Sequence, residues 1–328
     1  MERVTIVGLG QIGASIGMAI KRAKPQGVEV VGVDREPEVS ARARKMGAVD
    51  RVFHNVSQAA EEASLLILAV PVGAIREVMG VVAPVLEEGT IVTDTGSTKA
   101  AVLMWAEEIL PASTSFIGGH PMVGSEVTGV DGARADLFDG AIYCLVPSPR
   151  ADPTAVKGIT NLVSFLGSKP FFVDAVEHDG LVASVSHLPI ALSITLMNTV
   201  RKAVAWREMG RLAAGSFRDV SRLASGDPEM HRDIFLTNPE GVVHWIDEYI
   251  AELRRLQQQI QDREEGELLA TLRGALRGRD WWLQGKYGAD EELEFEELDS
   301  TFGDQMEQLF LGGKAARLLR EITRRRKR

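Results

Sequence analysis

"VTIVGLGQIGASIG", residues 4–17, passes from a β-branched run through three closely spaced glycines into a second apolar run. A strand, a tight turn and a helix account for that order, and the spacing assigns each glycine a task. Gly8 permits the turn, Gly10 lets the backbone approach a pyrophosphate, and Gly13 lets the helix lie close to the strand. Leu9, Gln11 and Ile12 complete the loop, and the unpaired N–H groups of the helix start face the phosphates. About twenty residues on, Asp34 closes the next apolar run, "VEVVGVD" at 28–34, where a carboxylate can accept hydrogen bonds from ribose hydroxyls. This favours NAD. The adjacent Arg35 could meet the 2′-phosphate of NADP, but Asp34 would repel that phosphate, so NAD stands ahead of NADP.

Working outward, further short apolar runs follow at 64–70 ("SLLILAV"), 90–96 ("TIVTDTG"), 115–119 ("SFIGG") and 141–147 ("AIYCLVP"), with helical patterns between the early ones. This alternation predicts an α/β, Rossmann-type, doubly wound and mainly parallel sheet, covered on both faces. After "KPFFVDAVEHD", 169–179, the strands stop and an all-α part begins. The run 181–206 reads as a buried helix that Pro189 kinks or locally breaks. Asn238-Pro239 marks another helix start. Beyond it Val242, Ile246, Tyr249, Leu253, Leu256 and Ile260 alternate steps of four and three, a seam for a second helix in the same domain or in another subunit. The expected organisation is a nucleotide-binding domain at 1–173, a helical substrate and dimerisation domain at 174–285, and a charged extension at 286–328.

Composition narrows the function. A formal net charge of -9 over 328 residues disfavours nucleic acid as partner. The single cysteine, Cys144, excludes a disulfide framework and a cysteine-based metal site, and no metal is expected. The N-terminus has no signal-peptide pattern and no apolar run is read as membrane-spanning, so the expected location is cytoplasmic.

In a doubly wound sheet, ligands gather beyond the carboxyl ends of the strands. Val70 and Pro71 follow one such end and would lie along the cofactor; "TIVTDTGSTK" and "SFIGGHPMVGSE" place Ser97 and His120 beyond two others. An imidazole beside a hydride acceptor is suited to take the proton of a substrate hydroxyl. Ser97 could hold the imidazole or that hydroxyl in line, or it could simply cap a helix.

Taken together, "GLGQIGASIG", "DTGSTK", "GGHPMVGSE", "SHLP" and "GSFRDVSRLASGDPEMHRDIF" resemble the prephenate dehydrogenase family of tyrosine biosynthesis over roughly residues 1 to 280. The resemblance implies oxidative decarboxylation of prephenate to 4-hydroxyphenylpyruvate with NAD, or of arogenate directly to tyrosine. It implies that His120 accepts the hydroxyl proton or its hydrogen bond and that Ser97 bridges it to the nicotinamide. Arg222 would grip the ring carboxylate, with Asp219 on its helix, and His187, Ser125, Glu126 and His231 would stand near the substrate. The sequence departs from many relatives at Ile190, where they carry histidine, and at His231, where they carry tryptophan, which puts side-chain preference and tyrosine inhibition in question. Two other readings are a β-hydroxyacid dehydrogenase, for which Lys202 lies too late, and a non-catalytic NAD sensor.

Overall fold

The computed structural model describes residues 2–22, 27–124, 127 and 129–287. They group into two compact units, the first reaching Val242 and the second starting at Val243. The extension expected from residue 286 lies, from 288 onward, outside the described residues.

The first unit is built on an eight-stranded sheet: β1 Glu2–Val7, β2 Val28–Val33, β3 Arg51–Phe53, β4 Ala63–Leu68, β5 Ile91–Asp94, β6 Ser115–Pro121, β7 Ile142–Pro147 and β8 Lys169–Phe172. Their spatial order is β3-β2-β1-β4-β5-β6-β7-β8. All neighbours are parallel except β6 and β7, which run antiparallel with His120 opposite Cys144. Consequently the carboxyl ends of β1, β2, β4, β5 and β6 share one edge. The order reverses between β1 and β4, the place where a doubly wound sheet opens a crevice for a ligand.

Alternation along the strands sends side chains to two cores. On one face Val4, Ile6, Leu65 and Ile67 pack with residues of α1 (Gln11–Arg22) and α6 (Pro153–Phe165). On the other, Val7, Leu66, Leu68 and Val92 pack against Ile75 and Met79 of α4 (Val72–Val82) and Val102 and Ala106 of α5 (Ala100–Ile109). A fully buried Leu or Ile contributes roughly 1.5–3 kcal/mol relative to exposure, so this double layer holds the strand ends in place. The short helices α2 (Pro37–Lys45) and α3 (Val56–Ala60) flank β3. That strand, three residues long and partly exposed, was not among the expected ones.

The helical part opens with α7, Ala175–Val182, whose N-cap Asp174 accepts from Val176 N at 2.8 Å and Glu177 N at 3.4 Å. A π-helical turn over Ala183–His187 joins it to α8, Leu188–Val200. Pro189 brings no N–H to the ladder, and the turn just before it widens. The expected helix at 181–206 therefore starts earlier and ends at Val200. It is also less buried than expected, with Val176 and Val185 exposed at 75% and 71%. By length and composition the Ala175–Val200 run could cross a membrane; within it His178, Asp179 and Ser193 bond to other elements of the first unit. Then come α9 (Trp206–Leu212), α10 (Gly215–Ser221) and α11 (Pro228–Thr237), the last capped by Asp227.

Helix α12, Pro239–Asp262, begins at the expected Asn-Pro pair and carries the chain into the second unit, where α13 is Glu265–Leu283. There Gln259 is buried and exchanges hydrogen bonds with Thr271 at 3.3 Å. The seam residues Tyr249, Leu253 and Ile260 are exposed on the single chain.

Candidate active site

The glycine loop has the shape a pyrophosphate needs. Gly8 has φ +91, and a Cβ there would meet the Ala69 backbone oxygen at 2.4 Å; one on Gly13 would meet the Gly8 oxygen at 2.0 Å. Nothing lies within 4 Å of a Cβ built on Gly10, so the approach to the start of α1 is open. Leu9 is buried, Ile12 is partly buried against the core, and Gln11 donates to the Gly132 oxygen at 3.2 Å. Asp34 stands just past β2 with its carboxylate anchored by Leu9 N at 2.7 Å and Glu36 N at 3.0 Å. Each oxygen keeps a lone pair for a ribose hydroxyl. Arg35 is exposed and approaches Glu36 only to 3.7 Å. Val70 is half-buried past β4, and Pro71 caps α4 from an exposed position. These residues fit a dinucleotide.

His120 lies on β6, buried, at the same edge of the sheet. Its Nδ1 is 3.0 Å from Nε2 of His178 on α7, and His178 Nδ1 is 2.8 Å from Oδ1 of Asp179. The proton positions follow from the carboxylate. Asp179 can only accept there, so a neutral His178 carries its proton on Nδ1 and offers the Nε2 lone pair. His120 must then donate from Nδ1, which leaves its Nε2 as a base. Burial holds the His120 pKa well below the usual imidazole value, and His178, the Lys99 charge and His187 press in the same direction. The resting ring is neutral at neutral pH, the form that can accept a proton.

Asp179 is fixed in turn by α5. Its Oδ1 accepts from Lys99 N at 2.7 Å and its Oδ2 from Ala100 N at 2.9 Å. A carboxylate from another helix thus caps α5, the alternative task considered for Ser97, and it suits the positive end of the helix dipole. Ser97 sits half-buried in the preceding loop. Since His178 occupies Nδ1 of His120, a bridge from Ser97 would have to use Nε2.

Beneath the loop is a buried ion pair. Lys99 is 1% exposed and Asp94 0%, and Lys99 Nζ bonds Asp94 Oδ2. The same carboxylate accepts from Gly96 N at 2.8 Å and Gly119 N at 3.1 Å. On β7, burial pushes the Cys144 thiol up to about 11, against the pull of Lys99, and raises the Tyr143 hydroxyl pKa.

His187, in the π turn, is fully buried. Asn238 Nδ2 donates to the Asp179 backbone oxygen at 2.7 Å and lies 3.3 Å from His187 Nδ1. His187 Nε2 makes no hydrogen bond of ordinary geometry, although the Ser97 backbone carbonyl is close enough to draw its pKa upward. Burial dominates and lowers that pKa to about 4, with Asp179 opposing and His178 assisting.

Three other expected substrate residues lie on α10, the turn after it and α11. Arg222 is exposed at the head of a 3-10 turn, Arg222–Ser225, that packs on α8, and Asp219 is exposed on α10. His231 is buried on α11, and a Cβ on Gly226 would lie 2.6 Å from its ring. Burial lowers its pKa and Asp227 opposes this. Ser125 and Glu126 lie outside the described residues. Sequence reading had not singled out Asp94, Lys99, His178 or Asp179, and had read Asn238 only as a helix start. The available signal was "EHD", 177–179, a histidine and a carboxylate side by side just after a capping aspartate.

Comparison with known proteins places these observations. Residues 16–171 match the prephenate dehydrogenase nucleotide-binding domain and residues 174–274 the prephenate dehydrogenase dimerization domain. The chain is 34% identical to the prephenate dehydrogenase of Bacillus subtilis (strain 168) over 283 residues, 85% of this chain and 76% of that one. A crystal structure of prephenate dehydrogenase from A. aeolicus, in complex with hydroxyphenyl propionate and NAD+, superposes with a TM-score of 0.80 at 30% identity, covering 85% of this chain and 97% of that one. Synechocystis arogenate dehydrogenase superposes with a TM-score of 0.71 at 29% identity, covering 85% and 99%. With the glycine cradle, the sheet and both matched segments in agreement, the chain belongs to the prephenate dehydrogenase family.

Proposed function

We propose that this protein oxidatively decarboxylates prephenate to 4-hydroxyphenylpyruvate, with arogenate as the competing substrate. The observation that carries the reading is the buried His120–His178–Asp179 series, set at the same sheet edge as the dinucleotide cradle. Bound NAD supplies the hydride acceptor. His120 Nε2 takes the proton of the ring hydroxyl as hydride leaves the same carbon, while the bond to the ring carboxylate breaks and its electron pair enters the ring. Carbon dioxide departs, the ring becomes aromatic, which drives the reaction, and the phenolate oxygen takes the proton back from His120. The protein's share is orientation and a proton acceptor. His178 and Asp179 hold His120 in the accepting tautomer, and the Nδ1 proton can shift toward His178 as charge develops.

The remaining assignments belong to the same proposal. Ser97 lines up the hydroxyl with His120 Nε2, and Arg222, carried with Asp219, grips the ring carboxylate through paired hydrogen bonds. His187, His231, Ser125 and Glu126 surround the substrate. Gly8, Leu9, Gly10, Gln11, Ile12 and Gly13 hold the pyrophosphate, Asp34 and Arg35 meet the ribose, and Val70 and Pro71 flank the nicotinamide. Residues 1–173 bind nucleotide, 174–285 bind substrate and pair two copies into a homodimer, and the reaction proceeds in the cytoplasm. The apolar side chains exposed on α7, the π turn and α12 support the pairing.

Steady-state assays with prephenate and arogenate, each with NAD and NADP, test the reading. NADH should form fastest from prephenate, and H120N should keep NAD affinity while losing roughly 10²-fold or more in kcat. The absence of NADH production from both substrates would overturn it, leaving the sensor reading.

A further inference from the structure

We propose that the buried Asp94–Lys99 pair is the positioning device of the site, closing a circuit of contacts that fixes His120 against the Ser97 loop. This rests on the functional reading above. The circuit can be walked atom by atom. Asp94 holds Gly119 N, the residue before His120, and Gly96 N, the residue before Ser97. Lys99 Nζ bonds Asp94, while Lys99 N bonds Asp179 Oδ1. Asp179 Oδ1 also meets His178, and His178 meets His120, adjacent to the starting point. One lysine therefore ties two carboxylates together through its two ends. Each carboxylate in turn orients one side of the catalytic histidine, its backbone or its ring.

Stability alone gives little reason for this arrangement. Removing two charges from water is costly, and a well-packed apolar pair of similar volume often serves the fold as well or better. An apolar pair could not gather the two glycine N–H groups or bring a cation to face the imidazole. His178 from α7, His187 from the π turn, Lys99 from the loop after β5 and Cys144 opposite on β7 surround His120, with Asp179 behind His178, Asp94 behind Lys99 and Tyr143 beside Gly119. Among them Lys99 is the fixed positive charge that disfavours a second positive charge on His120. It keeps the resting base free to accept.

The test compares K99M and K99R with the wild-type full chain. For K99M the expected result is a fall in kcat of about tenfold or more with NAD affinity within about twofold of wild type, and an acid limb of kcat/KM displaced to higher pH. K99R should recover part of kcat and return the acid limb toward its wild-type position. NMR titration of the His120 ring gives a readout independent of turnover: its pKa should rise in K99M. If wild type shows no dehydrogenase activity but the His120 titration still moves, the functional reading fails while the electrostatic link stands. An unmoved titration and acid limb, with K99R no better than K99M, would reduce the pair to a fold-stabilising contact and overturn the proposal. Should K99M not fold, D94N/K99M removes both charges together and is read in the same way.

Discussion

His120 Nδ1 and His178 Nε2 face each other at 3.0 Å, and the rings meet edge to face with centroids 5.1 Å apart. Two neutral imidazoles can hydrogen-bond only if one donates and the other accepts, so this contact is a choice of tautomers. Asp179 makes the choice, because its carboxylate claims the Nδ1 proton of His178. A side chain at position 179 thus determines which nitrogen of residue 120 is basic.

Replacing the middle member tests this directly. H178F keeps a ring of comparable size but supplies no acceptor for His120 Nδ1. The His120 proton is then free to move to Nε2, where it blocks the base. We expect kcat to fall by roughly 10²-fold, the lower range for loss of acid–base function. KM for NAD should change little, since the glycine cradle is untouched. An unchanged kcat in a folded variant would mean that His120 selects its tautomer without His178.

Much of this was legible in the sequence because the signals are local. The glycine spacing at 8, 10 and 13, the acid at 34 and the apolar runs dictate the sheet and its cofactor edge. What escaped is what tertiary partners decide. The residues 175–180 did not read as the start of the long apolar helix because His178 and Asp179 interrupt the pattern, yet both are buried and bonded to β6 and the start of α5. Lys99 read as a polar residue beyond a strand; only the approach of Asp94 makes its burial tolerable. Ser97 looked like a helix cap because the competing cap, Asp179, is eighty residues away from Lys99. Strand β3 is too short to show a period.

Arg222 carries the carboxylate assignment. Charge-assisted, paired hydrogen bonds to a carboxylate are among the stronger polar contacts, and if Arg222 makes them, R222A removes them without altering the buried network. KM for prephenate should rise roughly tenfold to a hundredfold, with a smaller change in kcat and none in NAD affinity. An unchanged KM in steady-state kinetics would take Arg222 out of the carboxylate site.

The buried histidines also set how the fold responds to acid. Burial lowers the His187 pKa from 6.5 to about 4 and holds His120 well below 6.5 as well. Between the unfolded and folded values the unfolded chain binds more protons, so unfolding free energy rises with pH across that window and falls as the solution is acidified. For His187 the loss begins near pH 6.5 and is complete below about pH 4, at about 1.4 kcal/mol per pH unit in between. Urea unfolding of the wild type between these limits should show at least that slope, since His120 adds its own share, and H187N, which has no titrating ring, should be shallower by about 1.4 kcal/mol per pH unit. Parallel wild-type and H187N curves would show that His187 titrates alike in both states. The contact with Asn238 would then have to persist with a protonated ring, which could no longer accept at Nδ1.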